Sequence, residues 1–341
     1  MRKILKEVFF YFCDIFGLTR YFRWLNRKKI LILMYHGVVR QSLEPFCWTQ
    51  LPEKKFRFQI SYLKKNYSVL KLSELIEKMR NGKPLPDYTA VVTFDDGYRN
   101  NYTIAYPILS QYHIPAVIFL ATRCVSDQVH CWPDRLYLAI KHTSKQGIDL
   151  TKWGLPYYSL RLPIEKEMAN QEIAEYLKML PRHEKDLILE EIIDHLKIHS
   201  ISRDSDFDLM SWDDIKFLSN YGLIEFGSHT ATHNILSQMD PSDAVKEIKE
   251  SCETIEHHCG KSCQFFAYPN GRKIDFTDYV KEQLKKSQVD CALTTIPGLN
   301  DRSEDLFELK RVSIGADISP ARFKCLVSGL SYHFKNSSLI P

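Results

Sequence analysis

The chain predicts an α/β protein whose parallel sheet closes into an irregular (β/α) barrel carrying a helical insertion. Two observations lead there. From residue 30 to the C-terminus, short apolar runs alternate with segments whose apolar residues recur every three or four positions. Strands that alternate with helices build parallel sheets, and about seven or eight such runs are enough for closure. The alternation is broken once, by residues 125–208, which are polar and rich in helical spacing but contain no strand pattern.

In order, Ile30-Leu31-Ile32-Leu33-Met34-Tyr35 reads as a first buried strand. A helix around residues 56–65 leads to a short second strand at 67–72. Ser73 caps the next helix, which runs through residue 80 and is broken by Asn81-Gly82, Pro84 and Pro86. Residues 90–94 and 116–120 are the third and fourth strands. The segment between them, 100–113, has helical spacing made irregular by Pro107. Within the insertion, helices are expected over 163–180 and 183–199. The alternation resumes with a helix at 211–220 and a strand at 223–226. Asp240-Pro241 then opens a helix in which Val245, Ile248, Cys252, Ile255 and Cys259 share a face, and Gly260 ends it. Strands follow at 264–267, 289–294 and 310–314, with a last helix at 320–330. The chain thus divides into a basic amphipathic segment (1–29), a barrel in two parts (30–124 and 209–331), the insertion (125–208) and a tail (332–341).

Of the 341 residues, 44% are hydrophobic and 26% charged, a globular balance. No run of about 18 uncharged apolar residues is present, so no spanning helix is expected. The net charge of +4 is too small to imply nucleic-acid binding. Its distribution is uneven: residues 1–29 carry +6 and the remainder −2. Ile4, Leu5, Val8, Phe9, Phe12 and Phe16 lie near one helical face of that segment, flanked by Lys and Arg. This reads either as an interfacial helix making peripheral contact with an anionic membrane or as a helix packed on the barrel. The apolar stretch 8–13 runs into Asp14 with no small-residue cleavage site after it, a poor export signal. Nine cysteines without a C-x-x-C pair suggest reduced, buried thiols. The expectation is a cytoplasmic protein, peripheral on the inner membrane face, where a lipid-linked saccharide would be within reach.

Two clusters carry chemistry. Thr93-Phe94-Asp95-Asp96-Gly97 puts adjacent carboxylates where a buried strand ends, with Gly97 allowing a sharp turn. In barrels of this kind chemistry is assembled at the C-terminal ends of strands. The alternative is that Asp95 and Asp96 are turn formers or a helix cap. The second cluster, Ser228-His229-Thr230-Ala231-Thr232-His233, follows the strand at 223–226. One helical turn would bring His229 and His233 to one side, the spacing two metal-bound nitrogens need, although such a pair can also be solvated. A carboxylate and two imidazoles, with a second carboxylate alongside, suit a catalytic zinc-type site.

These motifs resemble the polysaccharide deacetylases, carbohydrate esterase family 4 with its NodB-homology domain. The chain has the family's T-F-D-D-G in residues 93–97 and its H-[ST]-x-x-H in residues 229–233. Met34-Tyr35-His36-Gly37-Val38 and Phe266-Ala267-Tyr268-Pro269-Asn270-Gly271 support the match, which covers roughly residues 30–125 and 209–330. The resemblance implies an irregular (β/α) barrel that removes N-acetyl groups from an amino sugar of a polysaccharide, oligosaccharide or lipid-linked glycan. It implies that Asp96, His229 and His233 bind a divalent metal, zinc above all, and that Asp95 is the base taking a proton from the attacking water. A backbone N–H of the turn containing Asn270 would help the metal stabilise the oxyanion.

Two departures stand out. Ala267-Tyr268-Pro269-Asn270 replaces the family's R-x-P-Y, so the arginine that orients the base is missing there; Arg272 or Arg311 would substitute. The leucine-then-histidine motif that supplies the general acid is absent from residues 296–300, leaving water or His36 for that role. These departures keep two alternatives open, an O-acetyl esterase and a glycan-binding protein without catalysis. Elsewhere, Trp132 is expected to wall the substrate and Trp153 to pack the insertion. Cys252, Cys259 and Cys263 read as core thiols, and His257-His258 as a pair interacting with its helix dipole.

Overall fold

The structure, a computed structural model, describes residues 2–198 and 204–333, with side chains from residue 5 onward. Seven strands form the closed barrel: β1 (Leu31–Tyr35), β2 (Thr89–Phe94), β3 (Ala116–Leu120), β4 (Ile224–Ser228), β5 (Phe265–Ala267), β6 (Cys291–Pro297) and β7 (Leu309–Ser313). Each pairs in parallel with its neighbours in chain order, and β1 closes the circle by pairing with both β7 and β2. The predicted second strand is a two-residue edge piece, Ser68–Val69, on the first residues of β2.

The helices are α1 (Arg2–Ile15), α2 (Leu18–Leu25), α3 (Glu53–Asn66), α4 (Leu72–Arg80), α5 (Tyr106–Tyr112), α6 (Thr122–Asp127), α7 (Trp132–His142), α8 (Pro163–Lys178), α9 (Arg182–His195), α10 (Trp212–Asn220), α11 (Pro241–Cys259), α12 (Asp278–Lys286), α13 (Pro320–Val327) and α14 (Leu330–His333). The helical segment before Pro107 is a π-helix, Asn101–Ala105, which accounts for the irregular spacing. The expected tail, 332–341, lies outside the described residues beyond position 333.

The period of two along each strand sorts side chains into two cores. Ile32, Val91, Val117, Phe119, Phe265 and Leu293 point inward and form one cluster with Leu72, Leu75 and Ile76 of α4. Leu33, Val92, Phe94, Ile118 and Val312 point outward against the surrounding helices. By the same parity Thr93 and Asp95 continue the inward set after Val91, as Arg311 continues it after Leu309. Ser73 does not cap α4. The orphan amides of Leu72 and Ser73 instead donate to Glu225 Oε2, at 2.9 and 3.3 Å, because β4 brings that carboxylate beneath the helix start.

The insertion between β3 and β4 has its own core, built from α7, α8 and α9 and including Leu136, Ile173, Leu177 and Ile192. It also holds an antiparallel hairpin, Gly147–Asp149 with Tyr157–Ser159, where no strand was expected. Three-residue strands leave no alternation to read. Trp132, expected to wall the substrate, lies in the wall of the insertion itself. It is 7% exposed, packs within this insertion core and carries the Lys185 ammonium 5.1 Å from its ring centre.

Candidate metal centre

The inward parity of β2 ends at Asp95, whose side chain enters the barrel mouth. Its backbone N–H donates to the Tyr35 carbonyl of β1. The chain then reverses at Asp96, held at φ 75°, and Gly97, at φ 83°. An L-residue in that region is strained, and the strain turns Asp96 back toward the mouth instead of outward with Phe94. A Cβ at Gly97 would also crowd Leu120 Cδ2, at 2.8 Å.

His229 and His233 reach the same mouth, but not from a helical turn. Residues 229–233 form an irregular loop after β4, with Thr230 and His233 both at positive φ. The loop is pinned by a residue that the sequence reading missed. Glu247 of α11 is 4% exposed and accepts hydrogen bonds from the amides of Ala231 and Thr232 and from the Thr232 hydroxyl, at 2.6–2.9 Å. The signal was an acid beside Ile248, on the apolar side of an amphipathic helix.

Asp96, His229 and His233 each offer one ligand atom, and these atoms lie within 4.8 Å of one another. Asp96 Oδ1 is buried without a hydrogen bond, 3.2 Å from His233 Nε2 and 3.7 Å from His229 Nε2. His229 donates its Nδ1–H to the Ala267 carbonyl (2.7 Å), which fixes the tautomer that leaves Nε2 as a ligand. An unsatisfied carboxylate oxygen facing two ring nitrogens is the donor set of a divalent cation of the zinc type. Burial would raise the pKa of Asp96, but His233, then His36 and His229, hold it well below the carboxylate range. Burial pulls His229 to about 4, so its ring is neutral near pH 7.

Asp95 is clamped by Arg311, a fully buried arginine that donates from Nη1 and Nη2 to the two carboxylate oxygens at 2.7 and 2.8 Å. Nε of the same guanidinium bonds the Thr294 carbonyl at 2.8 Å, and Nη1 also reaches Thr93 Oγ1. Burial opposes ionisation of Asp95 and is the largest single influence, but the Arg311 charge, His229, the Arg311 hydrogen bonds and His36 together hold the carboxyl below its ordinary range. Arg272 is not near this pair. Its guanidinium bonds Asp275 at 3.0 and 3.2 Å.

His36, just beyond β1, is coupled electrostatically to Asp96, Asp95, Arg311 and His233, and burial leaves its pKa below the ordinary value despite both carboxylates. Its Nδ1 is buried without a hydrogen bond, its ring meets Trp48 edge-on at 5.0 Å, and its carbonyl accepts from Asn101. The Asn270 side chain does not join the cluster. It donates to Asp275, and the backbone at φ 60° forms the turn after β5. Cys252 and Cys263 are buried in the barrel's outer core, with Cys259 packed against it. His257 and His258 lie in the last turn of α11, where His258 stacks flat on Trp212 and burial lowers its pKa.

A family model described as polysaccharide deacetylase matches residues 82–292, more than half of the chain. The chain belongs to the polysaccharide deacetylase family. It is 22% identical over 314 residues to YxkH of Bacillus subtilis (strain 168), a protein assigned to the polysaccharide deacetylases, covering 90% of this chain and 80% of that one. A shorter stretch of 62 residues is 44% identical to the poly-beta-1,6-N-acetyl-D-glucosamine N-deacetylase of Escherichia coli (strain K12), 18% of this chain and 9% of that one. The Streptococcus pyogenes deacetylase PplD, solved in complex with acetate, superposes with a TM-score of 0.57 at 18% identity, over 88% of this chain and 98% of that one. At that identity the likeness speaks for the fold, the seven-stranded parallel barrel of the polysaccharide deacetylases. As a polysaccharide deacetylase the chain is a hydrolase acting on amide bonds.

Proposed function

We propose that this deacetylase is metal-dependent and removes the acetyl group from N-acetylated amino sugars within a glycan, with Asp96, His229 and His233 holding a zinc-type ion. One observation carries the reading: three converging ligand atoms stand beside a second carboxylate that an arginine holds ionised and oriented. When bound, the ion supplies Lewis-acid activation of water and of the acetyl carbonyl. Asp95 is the base that takes the proton of the attacking water, and Arg311 fixes the direction in which it does so. The Asn270 N–H, which no backbone carbonyl among the described residues accepts, is the oxyanion donor. His36 relays to the leaving nitrogen, as the C–N bond breaks, the proton that Asp95 takes from the water.

The local likeness to a poly-N-acetylglucosamine deacetylase makes β-1,6-linked N-acetylglucosamine oligomers the first substrates to test. Acetate release is expected from the zinc-loaded protein and not from chelator-treated protein, with recovery on adding zinc back. Asp95→Asn should keep the metal and lose turnover, and turnover surviving in that variant would remove Asp95 from the mechanism. An N-acetyl against O-acetyl comparison separates amidase from esterase. His36→Ala should suppress amide hydrolysis more than hydrolysis of an activated acetate ester, whose leaving group needs no proton. Saccharide binding without acetate release from any substrate would overturn the hydrolase and favour a binding protein.

A further inference from the structure

Helix α1 is held to the protein along one face only. Phe10 and Cys13 are buried with Cys325 of α13 and Leu330 of α14, and Asp14 accepts from Lys324. The opposite face is bare. Leu5, Val8, Phe12, Ile15 and Phe16 recur on one helical stripe and are each 54–66% exposed. After a left-handed turn at Gly17, α2 extends the surface with Trp24, 52% exposed. Nearly half of the large apolar side chains that the described chain exposes fall within residues 5–25; the others are scattered. Soluble monomers rarely expose apolar surface so densely.

Charge supplies the independent observation. Residues 1–29 contain eight basic and two acidic side chains, and Lys324 already neutralises one of the acids, Asp14. Arg20 is exposed and makes no ion pair among the described residues. The Arg27 guanidinium lies 4.8 Å from the Trp24 ring centre, Arg27 and the exposed Lys28 share one part-exposed carboxylate, Asp87, and Lys29 pairs with Asp301, so the segment keeps a surplus of cations. An apolar stripe rimmed by cations, with Trp and Tyr rings between, matches the layers of an anionic bilayer surface. Acyl chains take the stripe, the headgroup region takes the rings and phosphates take the cations. An apolar protein partner would need the stripe but not the surplus of cations. No helix among the described residues is long and apolar enough to cross a membrane, so the contact is one of lying on it. α2 leads into the N-terminal end of β1, opposite the mouth that holds Asp95, so docking displaces no group of the site.

We propose that α1 and α2 form a docking surface for an anionic lipid bilayer. The test is vesicle flotation of the full chain with phosphatidylcholine alone and with one third phosphatidylglycerol, at low and raised salt. Strong retention by the phosphatidylglycerol vesicles, weakened by salt, is expected, together with a blue shift of fluorescence that is lost in Trp24→Phe. The double variant Phe12→Glu/Phe16→Glu should bind about tenfold more weakly or worse while its thermal unfolding stays unchanged. Failure of the parent protein to bind anionic vesicles, or undiminished binding by the double variant, would overturn the proposal. So would a dimer in sedimentation that the double variant converts to monomer, because the patch would then be covered by a second copy.

Discussion

Replacing Arg311 with Met tests the clamp on the candidate base and carries a definite magnitude. The guanidinium is fully buried, spans both oxygens of a carboxylate that is itself 2% exposed, and is further held by Thr294 and Thr93. Met fills most of the volume, so the dominant effect is a buried carboxylate left without its counter-charge, at a cost of about 3–5 kcal/mol. Urea unfolding at pH 7 of the parent, Arg311→Met, Asp95→Asn and the double variant measures this as a cycle. The double variant should recover part of the loss, with a coupling of about 2 kcal/mol or more, since the neutral amide that replaces the Asp95 carboxylate no longer needs a cation. The pH dependence has a definite sign. In the parent, Asp95 has a folded pKa below its unfolded value of about 3.9, so its stabilisation is present above that pH and lost as pH falls through the folded value. Without Arg311 burial dominates and raises that pKa, so the deficit is largest at neutral pH and shrinks on acidification. A loss under about 1 kcal/mol, or a coupling near zero, would refute the buried-pair reasoning.

Glu247→Gln removes the charge that gathers three donors of the 230–233 loop, and it should weaken metal binding about 10–100-fold in a chelator competition with little change in fold by circular dichroism. Metal-free protein should lose stability as pH falls from about 6.5 toward 4, by about 3 kcal/mol in total. The unfolded state gains a proton on His229 in that window, whereas the folded ring resists protonation until about 4; thermal melts across the pH series in chelator check this. Trp132→Ala should destabilise the insertion by about 3–5 kcal/mol in urea unfolding, as its ring is buried in the insertion core.

The strand–helix alternation and the barrel closure were legible in the sequence because buried parallel strands are continuous apolar runs, which no surface constraint disguises. The antiparallel hairpin of the insertion was not legible: Gly147–Asp149 is too short to show a period. The pairing of His229 with His233 was read correctly as an association but through the wrong local geometry. A helical turn brings i and i+4 together from spacing alone, whereas here Thr230 and His233 adopt left-handed backbone in a loop held by the buried Glu247 and by the Ser228 and Thr230 hydroxyls. The substitute arginine was narrowed to Arg272 or Arg311, and register decided between them. Arg311 shares the inward parity of β7 and faces Asp95 across the lumen, while Arg272 turns to Asp275, three residues away.

Residue identity and local period determined which chemistry this chain carries: two carboxylates after one strand, two imidazoles after another, and a basic amphipathic start. Tertiary structure decided which of those groups meet. Asp95 and Arg311 are separated by 216 positions, and closure of the barrel sets them 2.7 Å apart. No local rule reaches that far, because a contact across the lumen depends on the register of every strand between the partners. The bare face of α1 was settled in the same way: the pattern specified a stripe, and the packing of Phe10 and Cys13 against the C-terminal helices decided which side stayed open.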